Sequence, residues 1–175
     1  MAIKNIKGML MDFAPQNVDA IVLFISSGFN TRNSLWLFDI PNKKENLLSL
    51  DGHNEIPEKP WLLNQDTLFE IKSSVFKKLK FIYIYSNPSD KKAYSGFSSI
   101  ESSIKRSLDR LSMYNIKSLA YILIPATENP ELINSNEDDS KCARLMIETI
   151  QDWMKKNREL DVFLVDRVGD FENII

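Results

Sequence analysis

Residues 96–124 read GFSSIESSIKRSLDRLSMYNIKSLAYILI. Phe97, Ile100, Ile104, Leu108 and Leu111 recur at spacings of 3, 4, 4 and 3, with Glu101, Lys105, Arg106, Asp109 and Arg110 on the other faces. An apolar stripe of this period predicts an amphipathic helix over 96–114, stopped near Asn115. The apolar run 119–124 behind it, closed by Pro125, suits a strand covered on both faces.

The same alternation continues outward. Upstream, Phe81-Ile82-Tyr83-Ile84-Tyr85 is a strand that ends at Asn87-Pro88. Downstream, 138–157 is a second helix, with Cys142, Leu145, Met146, Ile150, Trp153 and Met154 on one side. Asp138 and Asp139 suit its positive end, and Lys155, Lys156 and Arg158 its negative end. Asp161-Val162-Phe163-Leu164-Val165 is a final strand. Strand, helix, strand, helix, strand is the pattern of parallel βαβ units. Segments 81–85, 119–124 and 161–165 are therefore expected as adjacent strands of one sheet with right-handed crossovers.

The first half reads as closely spaced strands, so the sheet should be mixed. Residues 6–11 are a short apolar segment ahead of Asp12, and Ala20-Ile21-Val22-Leu23-Phe24-Ile25 is a buried-type strand. Leu35-Trp36-Leu37-Phe38 is a further strand candidate, and 43–50 suggests a short helix. Residues 68–73 alternate apolar and polar, as in a strand with one wetter face. In such sheets ligands bind beyond the carboxyl ends of the parallel strands. The tips that matter are then 26–30, 86–90, 125–129 and 166–170.

Composition excludes several classes. At 175 residues, 43% hydrophobic, the chain fits one globular domain, taken as 1–175. With 22 Lys and Arg against 24 Asp and Glu, it lacks the basic footprint of a general nucleic-acid binder. Its apolar runs fall short of the ~20 residues that span a bilayer, so no membrane partner is expected. No long apolar stretch follows Met1-Ala2-Ile3-Lys4, so a cytoplasmic location is the expectation. Cys142 is the only cysteine and His53 the only histidine. A multi-histidine metal site and a cysteine-based zinc site are thereby excluded, and no metal or cofactor is expected. His53 lies in the turn-like Asp51-Gly52-His53-Asn54 and reads as an exposed loop residue. The five glycines are all isolated, and neither a Walker A loop nor a dinucleotide fingerprint is present.

Met11-Asp12-Phe13, followed by Val18-Asp19-Ala20-Ile21-Val22, resembles the opening motif of the macro domains, modules known for binding ADP-ribose and its relatives. Phe69 to Ser73 with Leu79-Lys80-Phe81-Ile82, Ile116-Lys117-Ser118-Leu119-Ala120, and Leu160-Asp161-Val162-Phe163-Leu164-Val165 are similar to that family's later strands. The likeness covers most of 6–167. It implies a three-layer α/β/α domain with a mixed central sheet. It also implies that Asp12 accepts a hydrogen bond from an adenine amino group, that Ser26, Ser27 and Asn30 lie near a ribose, and that Arg32, Thr127 and Asn129 reach phosphate oxygens. The departures fall in the family's ligand loops. Leu23-Phe24-Ile25-Ser26 replaces its Asn-Ala-Ala-Asn, Ile84 replaces its strand histidine, and Ser27-Gly28-Phe29-Asn30 and Pro125-Ala126-Thr127-Glu128-Asn129-Pro130 replace its glycine-rich loops. The resemblance thus implies a non-catalytic module for an ADP-ribose-like nucleotide.

Taken without the resemblance, Asp12 opens a turn before Pro15, and Ser26, Ser27, Asn30, Thr127 and Asn129 are ordinary loop polars. Lys77, Lys78, Lys80, Lys91 and Lys92 form a basic patch of the kind that is usually a solvated face. Asp66 and Glu70 are acids four residues apart, with little to support paired-carboxylate catalysis. Two further readings remain open. One is a protein-interaction or scaffold module with a closed pocket, anchored by an exposed Trp36 or Trp61. The other is a hydrolase that uses Asp12 or Asp170.

Overall fold

The computed structural model describes residues 2–8, 10–25, 47–52, 66–72, 76–86, 97–122, 136–156 and 159–166. In chain order these hold β1 (Ile3–Lys7), α1 (Leu10–Asn17), β2 (Ala20–Ile25), β3 (Leu47–Ser49), β4 (Thr67–Ile71), β5 (Phe81–Ser86), α2 (Phe97–Ser112), β6 (Ser118–Ile122), α3 (Asn136–Lys156) and β7 (Asp161–Asp166). Among the described residues the strands form one seven-stranded sheet, in the order β1-β7-β6-β2-β5-β4-β3. The first five of that order are parallel, and β4 and β3 add an antiparallel edge. This is the mixed sheet that the sequence predicts.

Alternation along each strand divides the apolar residues between two faces. On one face Val22, Leu68, Tyr83, Leu119, Tyr121, Val162 and Leu164 meet the stripe Ile104, Leu108 and Leu111 of α2, and Ala143, Met146, Ile147 and Ile150 of α3. On the other, Ile21, Leu23, Phe69, Ile82, Ile84, Ala120 and Val165 meet Leu10 and Ala14 of α1 and the adjoining Val18. Helices thus cover both faces, giving three layers. β2 is buried from Ala20 to Leu23 on both sides, which is why its sequence runs apolar without a break.

Hydrogen bonds at the amino ends lock the central strands together. One carboxylate oxygen of Asp19 accepts from Lys117 N, Ser118 N and Ser118 Oγ, each at 2.9 Å. The Asp19 carbonyl accepts from Lys80 N at 2.8 Å and Phe81 N at 3.0 Å. Ala20 then lies opposite both Phe81 and Leu119.

Three sequence expectations need correction. The strands 81–85 and 119–124 share a sheet but are not adjacent, because β2 lies between them; only β6 and β7 touch. The helix expected over 43–50 is, in its described part, strand β3, paired with β4. The first strand is Ile3–Lys7 rather than 6–11, and Asp12 lies inside α1 rather than at a turn. Pro15 invited the turn reading, yet Leu10, Ala14 and Val18 are all buried at spacings of four, and that stripe decides for the helix. The strand candidate 35–38 lies outside the described residues.

Asp19→Ala removes the acceptor for three donors and should destabilise the fold by about 2 kcal/mol or more. In urea unfolding the midpoint should fall with an unchanged slope. Asp19→Asn, which keeps one carbonyl oxygen, should lose less.

Candidate functional site

The parallel strands end at Lys7, Asp166, Ile122, Ile25 and Ser86, which defines the carboxyl edge of the sheet. β2 and β6 are hydrogen-bonded neighbours, but the chain leaves them in opposite directions. From β2 it goes to β3 and β4 on the β5 side, and from β6 to β7 on the other side. Divergent connections at adjacent strands make a topological switch point, the place where open α/β sheets receive ligands. The two segments that leave it are those that carry Ser26, Ser27, Asn30 and Arg32, and Thr127 and Asn129. All six residues lie outside the described ones.

Of the candidate ligand contacts, Asp12 is the one that the structure describes. β1 turns at Gly8, whose φ of 135° is a conformation L side chains rarely adopt. Gly8 N donates to the Asp166 carbonyl at 3.0 Å, which ties the ends of β1 and β7. This turn starts α1 at the carboxyl edge. α1 lies over β6 and β7: Leu10 and Ala14 join the core with Ala120 and Val165, and the rings of Phe13 and Phe163 stand 5.0 Å apart. Asp12 is exposed in the first turn of this helix, where the helix dipole favours a carboxylate. It is thus a solvent-facing acceptor on the layer that covers β6, one of the two switch-point strands. Asp166, the last residue of β7, is a second carboxylate at this edge and is only 2% exposed.

A separate ionic cluster occupies the β3–β4 border, on the face of α2. Asp66 Oδ2 accepts from the Tyr83 hydroxyl at 2.6 Å and stands 3.3 Å from Arg106 Nε. Asp51 accepts from Arg110 at 2.8 Å through one oxygen and from Leu68 N at 2.6 Å through the other. Arg106 and Arg110 are four apart on one helix face, the spacing that presents both to the same neighbour. That spacing was the available signal for this cluster, which the sequence reading passed over. Asp66 and Glu70 are separated by about 13 Å of extended chain, so they do not converge. Burial, then the bond to Asp66, pushes the Tyr83 hydroxyl well above the usual tyrosine range. Burial does the same to Tyr121, whose hydroxyl is 2.7 Å from Ser107 Oγ.

Among the described residues no group of three His, Cys, Asp or Glu is placed to hold a metal, and no helix is long and apolar enough to cross a membrane. His53, Trp36, Trp61, Lys91, Lys92 and Asp170 lie outside the described residues.

No protein-family model matches the sequence, and no curated protein sequence matches it. Solved structures do match its fold. The macro domain of ganglioside induced differentiation associated protein 2 superposes with a TM-score of 0.59 at 16% identity, covering 98% of this chain and 82% of the other. The macrodomain of Mycobacterium tuberculosis DarG gives 0.60 at 11%, covering 94% and 97%. A glycine-to-valine mutant of an Oceanobacillus iheyensis macrodomain, solved with ADPR, gives 0.54 at 13%, covering 97% and 87%. At these identities the likeness is one of fold, and the fold is that of the macrodomains.

Both buried tyrosines carry a pH prediction. Their native pKa values lie above the unfolded value of about 10. Between the two values the unfolded chain has lost protons that the native chain keeps. The contribution is therefore complete below pH 10 and falls as pH rises beyond it. Stability measured by urea titration should decline from about pH 10 upward. Replacing Tyr83 and Tyr121 with Phe should flatten that decline.

Proposed function

We propose that this chain binds, without turning it over, a nucleotide-derived ligand related to ADP-ribose at the carboxyl edge of its sheet. The observation that carries the reading is the β2/β6 switch point, flanked by the helix that holds Asp12. The macrodomain fold supports it, since structures of that fold have been solved with ADP and with ADPR. In this reading Asp12 accepts from the adenine amino group. Ser26, Ser27 and Asn30 face a ribose, and Arg32, Thr127 and Asn129 supply donors to the phosphates.

Two facts argue for binding without turnover. The resemblance sets Ile84 in place of the family's strand histidine, and Ile84 is fully buried in the α1-side core. The only histidine in the chain, His53, lies in a different segment. The replaced glycine loops bear on affinity. A pyrophosphate buried without donors loses several kcal/mol, against the roughly 8 kcal/mol of micromolar binding.

A second reading, an interaction module, draws on one observation. Met113 is 73% exposed just beyond the carboxyl terminus of α2, near a groove of about 220 Å³ that Ile116, Trp153 and Leu160 help to line.

Calorimetry with ADP-ribose, ADP and NAD tests the proposal. Heat of binding should appear with ADP-ribose and weaken about tenfold or more, roughly 1.4 kcal/mol, in Asp12→Ala. A chain mono-ADP-ribosylated as substrate should remain modified on incubation with this protein. Silence with all three ligands would pass the case to the interaction module. Turnover that Asp12→Ala abolishes would make the protein a hydrolase.

A further inference from the structure

The groove beside Met113 lies at the amino edge of the sheet, away from the β2/β6 tips. Two parallel crossovers return to the sheet there, one from α2 into β6 and one from α3 into β7. The space between them is about 220 Å³. Ile116 and Leu160, both almost fully buried, give it apolar lining from the two approaches, and Trp153 gives it aromatic lining from α3. Backbone bonds fix its walls. Tyr114 N donates to the Leu111 carbonyl at 3.0 Å, and Asn115, at a left-handed φ of 52°, turns the chain out of α2 toward β6. Asp19 holds Lys117 N at 2.9 Å, and Asp161 N donates to the Lys117 carbonyl at 2.9 Å, so the two approaches run side by side. A preformed groove spares a ligand the cost of ordering its site.

The polar groups of the groove are not equally available. Trp153 Nε1 is engaged by Asp109 at 2.7 Å, and Ser112 Oγ donates to the Asp109 carbonyl at 2.8 Å. The side-chain amide of Asn115, by contrast, has no hydrogen-bond partner among the described residues. Lys117 Nζ and Glu159 Oε2 face each other at 2.6 Å, on side chains 59% and 81% exposed. An ion pair so open to solvent holds its partners weakly, so each charge is free to exchange its partner for a ligand group.

Size and charge narrow the occupant. A cavity of about 150 Å³ takes a benzene, whereas drug-sized ligands need roughly 300–1,000 Å³. The groove therefore suits one ring or branched alkyl group with a small head, and it is too small for a whole nucleotide. The head must answer a cation and an anion that stand together. A lone ammonium leaves Lys117 unmatched, and a lone carboxylate leaves Glu159 unmatched. An apolar side chain of a partner protein brings neither charge. An ammonium and a carboxylate on one carbon answer both, and the Asn115 amide adds a donor for the carboxylate. We infer that this groove binds a free α-amino acid with an apolar side chain of phenylalanine or leucine size. The ligand's carboxylate faces Lys117 and Asn115, its ammonium faces Glu159, and its side chain lies on Ile116, Leu160 and Trp153. The site owes nothing to the Asp12 edge or to a nucleotide bound there.

The test is a titration of the full chain with L-phenylalanine and L-leucine, followed in amide and indole N–H spectra. Saturable shifts should gather at Asn115, Ile116, Lys117 and Leu160 and at the Trp153 indole N–H, which Trp153→Phe identifies by its loss. Glycine, which lacks the side chain, and N-acetylphenylalaninamide, which lacks both charges, should bind about tenfold or more weakly. Lys117→Met and Glu159→Gln should each weaken phenylalanine binding about three- to fivefold, and circular dichroism melts should show both variants folded. Saturating phenylalanine should leave any ADP-ribose heat unchanged, so the two proposals fail separately. No shifts with either amino acid, or shifts gathered away from the groove, would overturn the inference. Equal binding of phenethylamine would overturn it in favour of a cation site. Equal binding of N-acetylphenylalaninamide would overturn it in favour of a docking point for a protein side chain.

Discussion

The Asp19 carboxylate is the contact on which the rest of the structure depends. β2 lies between β5 and β6, and neither neighbour follows it directly in the chain. Something must fix how far each strand slides against β2. Asp19 does so from one residue, gripping the start of β6 through its side chain and the start of β5 through its carbonyl. A slip of one residue would turn every side chain of a strand to the opposite face. Val22, Tyr83 and Tyr121 would then leave the α2–α3 core, and Ile21 and Ile82 would leave the α1 core. Registry at the amino ends also sets which carboxyl ends stand side by side, and so where the switch point lies.

The sheet therefore has two unlike ends. At the amino end polar backbone and side-chain groups are consumed in structure: Asp19 on β5 and β6, Lys117 O on Asp161 N, and Asp161 on Ala2 N. At the carboxyl end the Gly8–Asp166 bond closes the β1–β7 margin, while the segments after β2 and β6 diverge. In the proposed reading, stability and nucleotide binding occupy separate ends of one sheet. Substitutions that loosen the fold and substitutions that alter the proposed nucleotide binding would then fall on different residues.

Much of this was legible in the sequence. β2, β5, β7 and both long helices announce themselves, because Ala20 to Ile25 is apolar throughout and α2 holds a strict 3–4 spacing. The strand order was not legible. Periodicity says that β5 and β6 are strands, but it does not say that β2 inserts between them; hydrogen bonding at Asp19 decides that. The 43–50 segment shows tertiary pairing overriding local propensity, since β4 offers an edge to Leu47, Leu48 and Ser49. The sequence sets Asp12 at a turn before Pro15, whereas the Leu10–Ala14–Val18 stripe places it inside α1, which starts at the carboxyl edge. The role of Asp19 was hidden inside a motif quoted for its likeness to ligand-binding domains; its side chain holds strands. The proposed ligand contacts have no periodic or spaced signature in the sequence, so only the resemblance points to them.

The most direct measurement is an amide chemical-shift map of the protein titrated with ADP-ribose. Shifts are expected at Gly8, Asp12, Ile25 and Ile122, around the carboxyl edge, with Lys80, Lys117 and Ser118 at the amino edge unmoved. Shifts gathered instead at Asn115, Lys117 and Trp153, or a spectrum unchanged at high ligand concentration, would contradict it.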